Sequence, residues 1–365
     1  MSDLSREPML GALAQLVEAE SPSHDKAACD ACAERVAALF ASIEGAELVW
    51  HRRKDGGDHV EARIGRGPGA IVLLCHHDTV WNLDTLKRLP FLIDGNRVSG
   101  PGSYDMKAGI VAAAFALRGL KPQRPVVVLS TSDEEIGSTS SRELIEQTAQ
   151  GASAVLVLEP AASGGAVKTA RKGIADFILK IEGRAAHAGV EPEKGISAIE
   201  ELAHQIQALK ALANPGLGTT INIGVVNGGT RPNVVAAGAR AEIDVRFTRA
   251  AEADRVVAAI NRLRPQLAGA RLAVTGGLDR PPMERSEGVG RLFRLAQTQA
   301  AEMGFRLAET STGGASDGNF TAALGIPTLD GLGPDGGGAH ADSEHFLIDS
   351  WLQRTELLRR LILAI

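Results

Sequence analysis

Three short apolar runs each end in an acid or an imidazole, and together they limit the fold more than any other feature of the chain. AIVLLCHHD delivers His76 and Asp78, RPVVVLSTSDEE delivers Glu134 and Glu135, and SAVLVLEP delivers Glu159. The runs are continuous and rich in Val, Leu and Ile, the pattern of strands covered on both faces. Between them, DMKAGIVAAAFALRGL and SRELIEQTAQ carry helical spacing with Ala-rich faces. Alternating β and α elements predict an α/β fold whose mostly parallel sheet has helices on both faces. In such sheets ligands bind outside the carboxyl ends of the strands, which is where these acids and imidazoles fall.

At 365 residues the chain exceeds one ordinary core, so two domains are expected. The middle of the chain changes texture. IADFILKIEG, TTINIGVVNGG, ARAEIDVRF and ARLAVTG read as strands, with GISAIEELAHQIQALKALA and AEADRVVAAINRLRPQL as helices. Their β-α-β-β-α-β order is that of a ferredoxin-like unit, placed at residues 173–277 between Gly- and Pro-containing joints. Its first helix is expected to bury Ile196, Ile199, Leu202 and Ile206. His340, in GLGPDGGGAHAD, lies beyond this insert while its presumed partners precede it. The first domain is therefore expected to be discontinuous, formed by residues 1–172 and 278–365.

Hydrophobic and charged contents of 44% and 23% are those of a globular protein, and a formal charge of −5 gives no reason to expect nucleic acid or an anionic membrane as partner. No apolar run is long enough to span a bilayer. The opening MSDLSREPMLGALAQLVEAE reads as an amphipathic helix without the features of a secretory signal. A cytoplasmic protein is expected, or a periplasmic one if a leader has been removed. Cys29 and Cys32 form a CxxC inside a helical pattern with no second pair, and Cys75 ends a strand. All three read as buried packing residues rather than a zinc or redox site.

The polar residues at the strand exits suit two-metal hydrolysis. His76 and Asp78 are two apart at a strand end, so their side chains share a side while His77 faces the other way. A carboxylate beside a ligating imidazole fixes its tautomer, which is the role expected of Asp78. Asp105, in GPGSYDMKAG, is expected to open a helix and could bridge two cations through its two oxygens. The adjacent Glu134 and Glu135 suit a division of labour, one binding metal and the other handling a proton. Glu159 and His340 complete imidazole-plus-carboxylate sets that suit zinc, with cobalt or manganese as substitutes. His77, His187, His204 and His345 share no such constellation by spacing.

The ordered run HHDTV, GPGSYDMKAG, STSDEEIGS, VLEPA, GRAAHAG, TGGASDG and GAHADSEHF resembles the di-zinc exopeptidase family of carboxypeptidase G, acetylornithine deacetylase, succinyl-diaminopimelate desuccinylase and aminoacylase. It is most similar to the carboxypeptidase G type, the glutamate carboxypeptidases. The resemblance covers nearly the whole chain, although His77 stands where relatives more often carry Met or a small residue. It implies that His76 and Glu159 hold one metal and Glu135 and His340 the other, with Asp105 bridging, Asp78 orienting His76 and Glu134 as general base and acid. It also implies that the inserted unit is a lid and homodimerisation domain. There His187 would reach the oxyanion across the dimer, and Asn233, Arg246 and Gly314 would bind substrate.

The implied activity is cleavage of an amide to a C-terminal amino acid with a free carboxylate, glutamate being the first guess. The substrate would be a peptide or an N-acyl amino acid. An N-acyl-amino-acid deacylase is the alternative. An inactive binding homologue is the distant one, since it should lack Glu134 or a ligand and none is missing.

Overall fold

The computed structural model describes residues 5–365. The first four residues of the stretch read as an amphipathic helix thus lie outside the described residues, and the helix itself runs Arg6–Glu18. The chain divides into two compact units. One comprises the described residues up to Ala170 together with Arg285–Thr312 and Ser316–Ile365; the other comprises Arg171–Glu284 and Gly313–Ala315.

The first unit is built on a six-stranded sheet in the order Ala46–His51, His59–Ile64, Val126–Thr131, Ile71–His76, Ala154–Val157, Thr328–Leu329. The last four strands are mutually parallel and the first two are antiparallel additions. All six residues of Ile71–His76 are buried, because both faces of the strand are covered. Ile71, Leu73 and Cys75 enter the larger core with helices Arg6–Glu18, Lys26–Ala41, Ala108–Leu117, Glu287–Glu302 and Ile348–Ala364. Val72 and Leu74 enter a smaller core with Ile145 and Ala149 of helix Arg142–Ala149. The alternation of side chains along a strand explains why the run had to be apolar without interruption.

Helix Ala108–Leu117 is buried along its whole length, which its Gly- and Ala-rich sequence permits. A side chain on Gly109 would place its Cβ 2.3 Å from the carbonyl oxygen of Leu158, so glycine sets how closely the helix approaches the strand that carries Glu159. Trp351, in the last helix, is fully buried and donates its indole N–H to the Ala108 carbonyl at 2.8 Å. That bond ties the C-terminal segment to the element behind Asp105. The three cysteines are buried and unpaired.

The second unit is a four-stranded antiparallel sheet in the order Thr220–Gly228, Gly238–Phe247, Gly173–Glu182, Arg271–Arg280. Alternate residues Ala175, Phe177, Leu179 and Ile181 face a core shared with helices Ala198–Ala211 and Ala250–Asn261. The face of helix Ala198–Ala211 differs from the expected apolar stripe. Leu202 is buried, but Ile199 is 48% exposed and Ile196 and Ile206 are half-buried. The buried face instead carries Ala198, Glu201, Leu202, Gln205 and Leu209. The polar pair is buried because it holds a loop. Glu201 accepts the backbone N–H groups of Gln266 and Leu267, and Gln205 donates to the Arg264 carbonyl at 2.9 Å. The Glu201 carboxylate and the Gln205 amide N–H groups are satisfied in this way, while Gln205 Oε1 is buried without a partner.

Candidate metal centre

Parallel pairing brings three of the delivering strands to one edge. His76 lies opposite Thr131, and Leu74 opposite Val157, so Glu134, Glu135 and Glu159 leave the sheet beside His76. Asp105 and His340 arrive on loops tied by a small four-stranded sheet in the order Gly336–Gly337, His345–Leu347, Arg97–Ser99, Leu92–Asp94. Pairing of His345 with Ser99 sets the two loops side by side. Gly102 makes the turn before Asp105 at φ +70°, where a Cβ would also meet Thr79 at 2.5 Å. His340 has φ +63°, a backbone region that non-glycine residues seldom occupy and that concentrates at functional sites.

Asp105 does not open a helix. Its backbone, at φ −112° and ψ 98°, belongs to an irregular turn over Ser103–Lys107, and the helix begins at Ala108 with no side-chain cap. The departure frees the carboxylate to face two imidazoles. His76 Nε2 lies 3.4 Å from Asp105 Oδ1 and 3.3 Å from Glu159 Oε1. His340 Nε2 lies 3.3 Å from Asp105 Oδ2 and 3.2 Å from Glu135 Oε2. Among the described residues, two groups thus have metal-ligand geometry, His76–Asp105–Glu159 and Asp105–Glu135–His340, and they share Asp105 through different oxygens. Tetrahedral ligands at zinc distances sit about 3.3 Å from one another, which is the spacing found here. Asp105 Oδ1 and Glu135 Oε1 are buried without a hydrogen-bond partner, a costly state that a cation would relieve. The residues fit divalent ions of the zinc type.

Asp78 ties this edge together. Its carboxylate lies 3.4 Å from His76 Nδ1 and accepts the Glu134 N–H, the Glu135 N–H and the Ser23 hydroxyl. The carboxylate thus fixes the turn bearing both glutamates, while the nearer partner of His76 Nδ1 is the Asp78 main-chain carbonyl at 3.1 Å. Glu134 is half-buried on that turn. His77 points away, with Nδ1 3.0 Å from the Ser130 hydroxyl, and burial pushes its pKa down to about 3.

The electrostatics follow from acids crowding two imidazoles. Burial opposes charge on His76, but the carboxylates of Asp105, Asp78 and Glu159 around its ring hold it well above the ordinary histidine range. Asp105, and then Glu135, raise His340 to about 10. Burial pushes Glu135 up, whereas at Asp105 the two imidazoles overcome burial and pull it down. A site that holds protons on its imidazoles when empty is one in which cations compete with protons.

The other singled-out residues lie in the second unit. His187 is exposed, accepts the Gly189 N–H at Nδ1 and forms an isolated bridge with Val234; the Asn233 carbonyl accepts the Ala188 N–H. These contacts set His187 and Asn233 next to each other. Arg246 lies on the sheet face away from the helices, its guanidinium bound by Asp244 at 2.7 Å. The Gly314 carbonyl accepts from Arg171 at 3.3 Å.

One participant has no counterpart in the sequence reading. Glu344, four residues after His340, is buried against the Asp105 turn. Its only sequence signal is an acid at fixed spacing from a metal-type histidine, which a surface acid would give equally well.

Residues 72–364 match the model of peptidase family M20/M25/M40. The chain belongs to this family. It is thus a homologue of metallopeptidases, which are metal-dependent hydrolases. It is 31% identical to carboxypeptidase G2 of Pseudomonas sp. (strain RS-16) over 320 residues, covering 84% of this chain and 77% of that one. An acetylornithine deacetylase of Photorhabdus laumondii is 30% identical over 207 residues, about half of each chain. The crystal structure of aminopeptidase PepT from Bacillus cereus superposes with a TM-score of 0.81 at 24% identity, covering 98% of both chains. That likeness speaks for the fold alone, and it agrees with the helix-flanked, mostly parallel sheet. No helix among the described residues is long and apolar enough to cross a membrane.

Proposed function

We propose that the chain is a two-zinc amidohydrolase cleaving the amide to a C-terminal amino acid that bears a free carboxylate, in the manner of a glutamate carboxypeptidase. The observation that carries this reading is the pair of ligand sets meeting at Asp105. His76 and Glu159 would hold one ion and Glu135 and His340 the other, with cobalt or manganese as substitutes. Bound there, the ions would supply Lewis acidity toward the amide carbonyl and make water acidic enough to serve as nucleophile near neutral pH.

The remaining chemistry belongs to the chain. Glu134 takes the proton of the attacking water and returns it to the departing amine. Asp78 keeps the His76 ring in one orientation. His187 donates to the developing oxyanion. Asn233 and Gly314 contact the substrate's polar groups, and Arg246 exchanges Asp244 for the substrate carboxylate, a forked pairing that selects chain ends. The inserted unit acts as lid and homodimerisation domain, His187 serving the partner's site. Its outer strand Thr220–Gly228 is an edge exposing Val225 and Val226, a surface suited to pairing.

The likeness to carboxypeptidase G2, 31% identical over 84% of the chain, exceeds that to acetylornithine deacetylases, 30% over 51% and 28% over 69%, which supports the carboxypeptidase reading over N-acyl-amino-acid deacylation. Zinc-reconstituted protein assayed on N-aroyl-glutamates, dipeptides and N-acetyl amino acids separates the two. Preference for the first two substrates is expected, and preference for small N-acetyl amino acids would move the assignment to a deacylase. Tight binding without turnover of any of them would indicate the inactive homologue.

A further inference from the structure

The turn that presents Asp105 receives, besides its own backbone bonds from Ser103 to Gly100 and from Lys107 to Gly102, one side chain from the far end of the chain. Glu344 Oε1 accepts the backbone N–H groups of Tyr104 at 2.9 Å and Asp105 at 3.1 Å. Its Oε2 accepts the Gly102 N–H at 2.9 Å and the Trp81 indole N–H at 2.8 Å. Each oxygen thus receives two donors, and the residue is 3% exposed. Three of the four donors are the N–H groups of Gly102, Tyr104 and Asp105, in a wide, irregular turn whose own backbone bonds are donated by Ser103, Lys107 and Ala108 instead.

We propose that Glu344 is a positioning residue for the metal centre, acting through Asp105 rather than on substrate. The inference rests on Asp105 as a metal ligand. A turn at Gly102 followed by irregular backbone has several accessible conformations, and only those facing His76 and His340 place the two Asp105 oxygens between the imidazoles. Four converging N–H groups require a group that accepts at every lone pair, and an ionised carboxylate is the side chain that does so. Three of these bonds join the Asp105 loop to the His340 loop, since Glu344 follows His340 by four residues, and the fourth ties both to Trp81. One carboxylate therefore sets the distance between the shared ligand and the imidazole of the second set. This explains why an acid is buried where no cationic side chain faces it among its bonded partners.

Glu344→Gln is the discriminating variant. The amide keeps size and shape but turns its NH₂ toward two N–H donors on whichever side it lies, so at least two of the four bonds are lost. Two readouts on the full-length protein test the idea. In the metal-free state, amide hydrogen exchange over residues 102–107 should accelerate in the variant while the Ile71–His76 strand stays protected. In zinc titrations against a competing chelator, affinity should fall about 10–100-fold, the usual effect of losing an outer partner of a metal ligand. Restoring turnover with excess zinc, at wild-type KM, would mark positioning rather than substrate contact. Unchanged exchange or unchanged zinc affinity would overturn the proposal.

If Glu344→Gln does not fold, Trp81→Phe carries the test. It removes one donor and should lower zinc affinity several-fold at an unchanged metal-free melting temperature; wild-type affinity would count against the role. Wild-type protein that binds no zinc would instead overturn the two-metal reading itself, whatever the exchange data show.

Discussion

Glu134 and Glu135 are neighbours whose backbone N–H groups are held by the same Asp78 carboxylate, yet only Glu135 joins a ligand group. The proposed division of labour therefore makes opposite demands on isosteric changes. Glu134→Gln should lower kcat by about 10²–10⁴ while metal content stays near that of the parent. Glu135→Gln should lose one ion. Metal analysis beside steady-state kinetics checks both, and zinc lost from Glu134→Gln but kept by Glu135→Gln would exchange the roles.

A second residue-scale effect concerns His59, buried with Nδ1 beside the Ser132 N–H and Nε2 beside the Ser140 hydroxyl. Burial lowers its pKa to about 4 despite nearby Asp133. The unfolded chain binds the proton near the ordinary histidine value of about 6.5, so stability is fully present above that pH and falls as pH drops toward 4. The drop is on the order of 3 kcal/mol for this group. Urea unfolding at pH 7 and pH 4.5 should therefore show a smaller acid loss for His59→Gln than for the parent, and equal losses would refute the assignment.

Among the elements, helix Ala108–Leu117 transmits packing to the centre. Gly109→Ala sets a methyl 2.3 Å from the Leu158 carbonyl oxygen, so the helix must withdraw from the segment that carries Glu159. A loss of about 1–3 kcal/mol in urea unfolding is expected, together with weaker zinc binding. A variant as stable as the parent would show that the helix has slack.

The same elements show how far sequence alone could reach. Runs such as Ile71–His76 were legible because a strand covered on both faces must be apolar throughout, and the residue following such a run must leave at the sheet edge. The parallel pairing of those runs then follows from their alternation with helices, and brings His76, Glu135 and Glu159 together. Asp105 is legible as a residue but not in conformation, since the Tyr104 and Asp105 N–H groups of its turn are taken by Glu344, some 240 positions away. The buried face of Ala198–Ala211 departs from the expected apolar stripe for a related reason. Glu201 and Gln205 are paid for by loop N–H and carbonyl groups whose proximity no local pattern reveals.

At the scale of the whole molecule, all the ligand candidates lie in one compact unit, whereas His187, Asn233, Arg246 and Gly314 lie in the other. If His187 serves the partner's site, mixing Glu134→Gln protein with His187→Ala protein should restore activity, because hybrid dimers contain one site with both residues intact. No recovery despite demonstrated subunit exchange would confine His187 to its own chain or remove it from the mechanism.

The central claim is that Asp105 joins two ion sites. It is tested most directly by counting zinc per chain, by elemental analysis after dialysis, in the parent and in Asp105→Ala. The account predicts two ions per chain in the parent and a loss from both sites in the variant, because each ligand set uses one Asp105 oxygen. A parent holding a single ion, or an Asp105→Ala protein that still holds two, would contradict it.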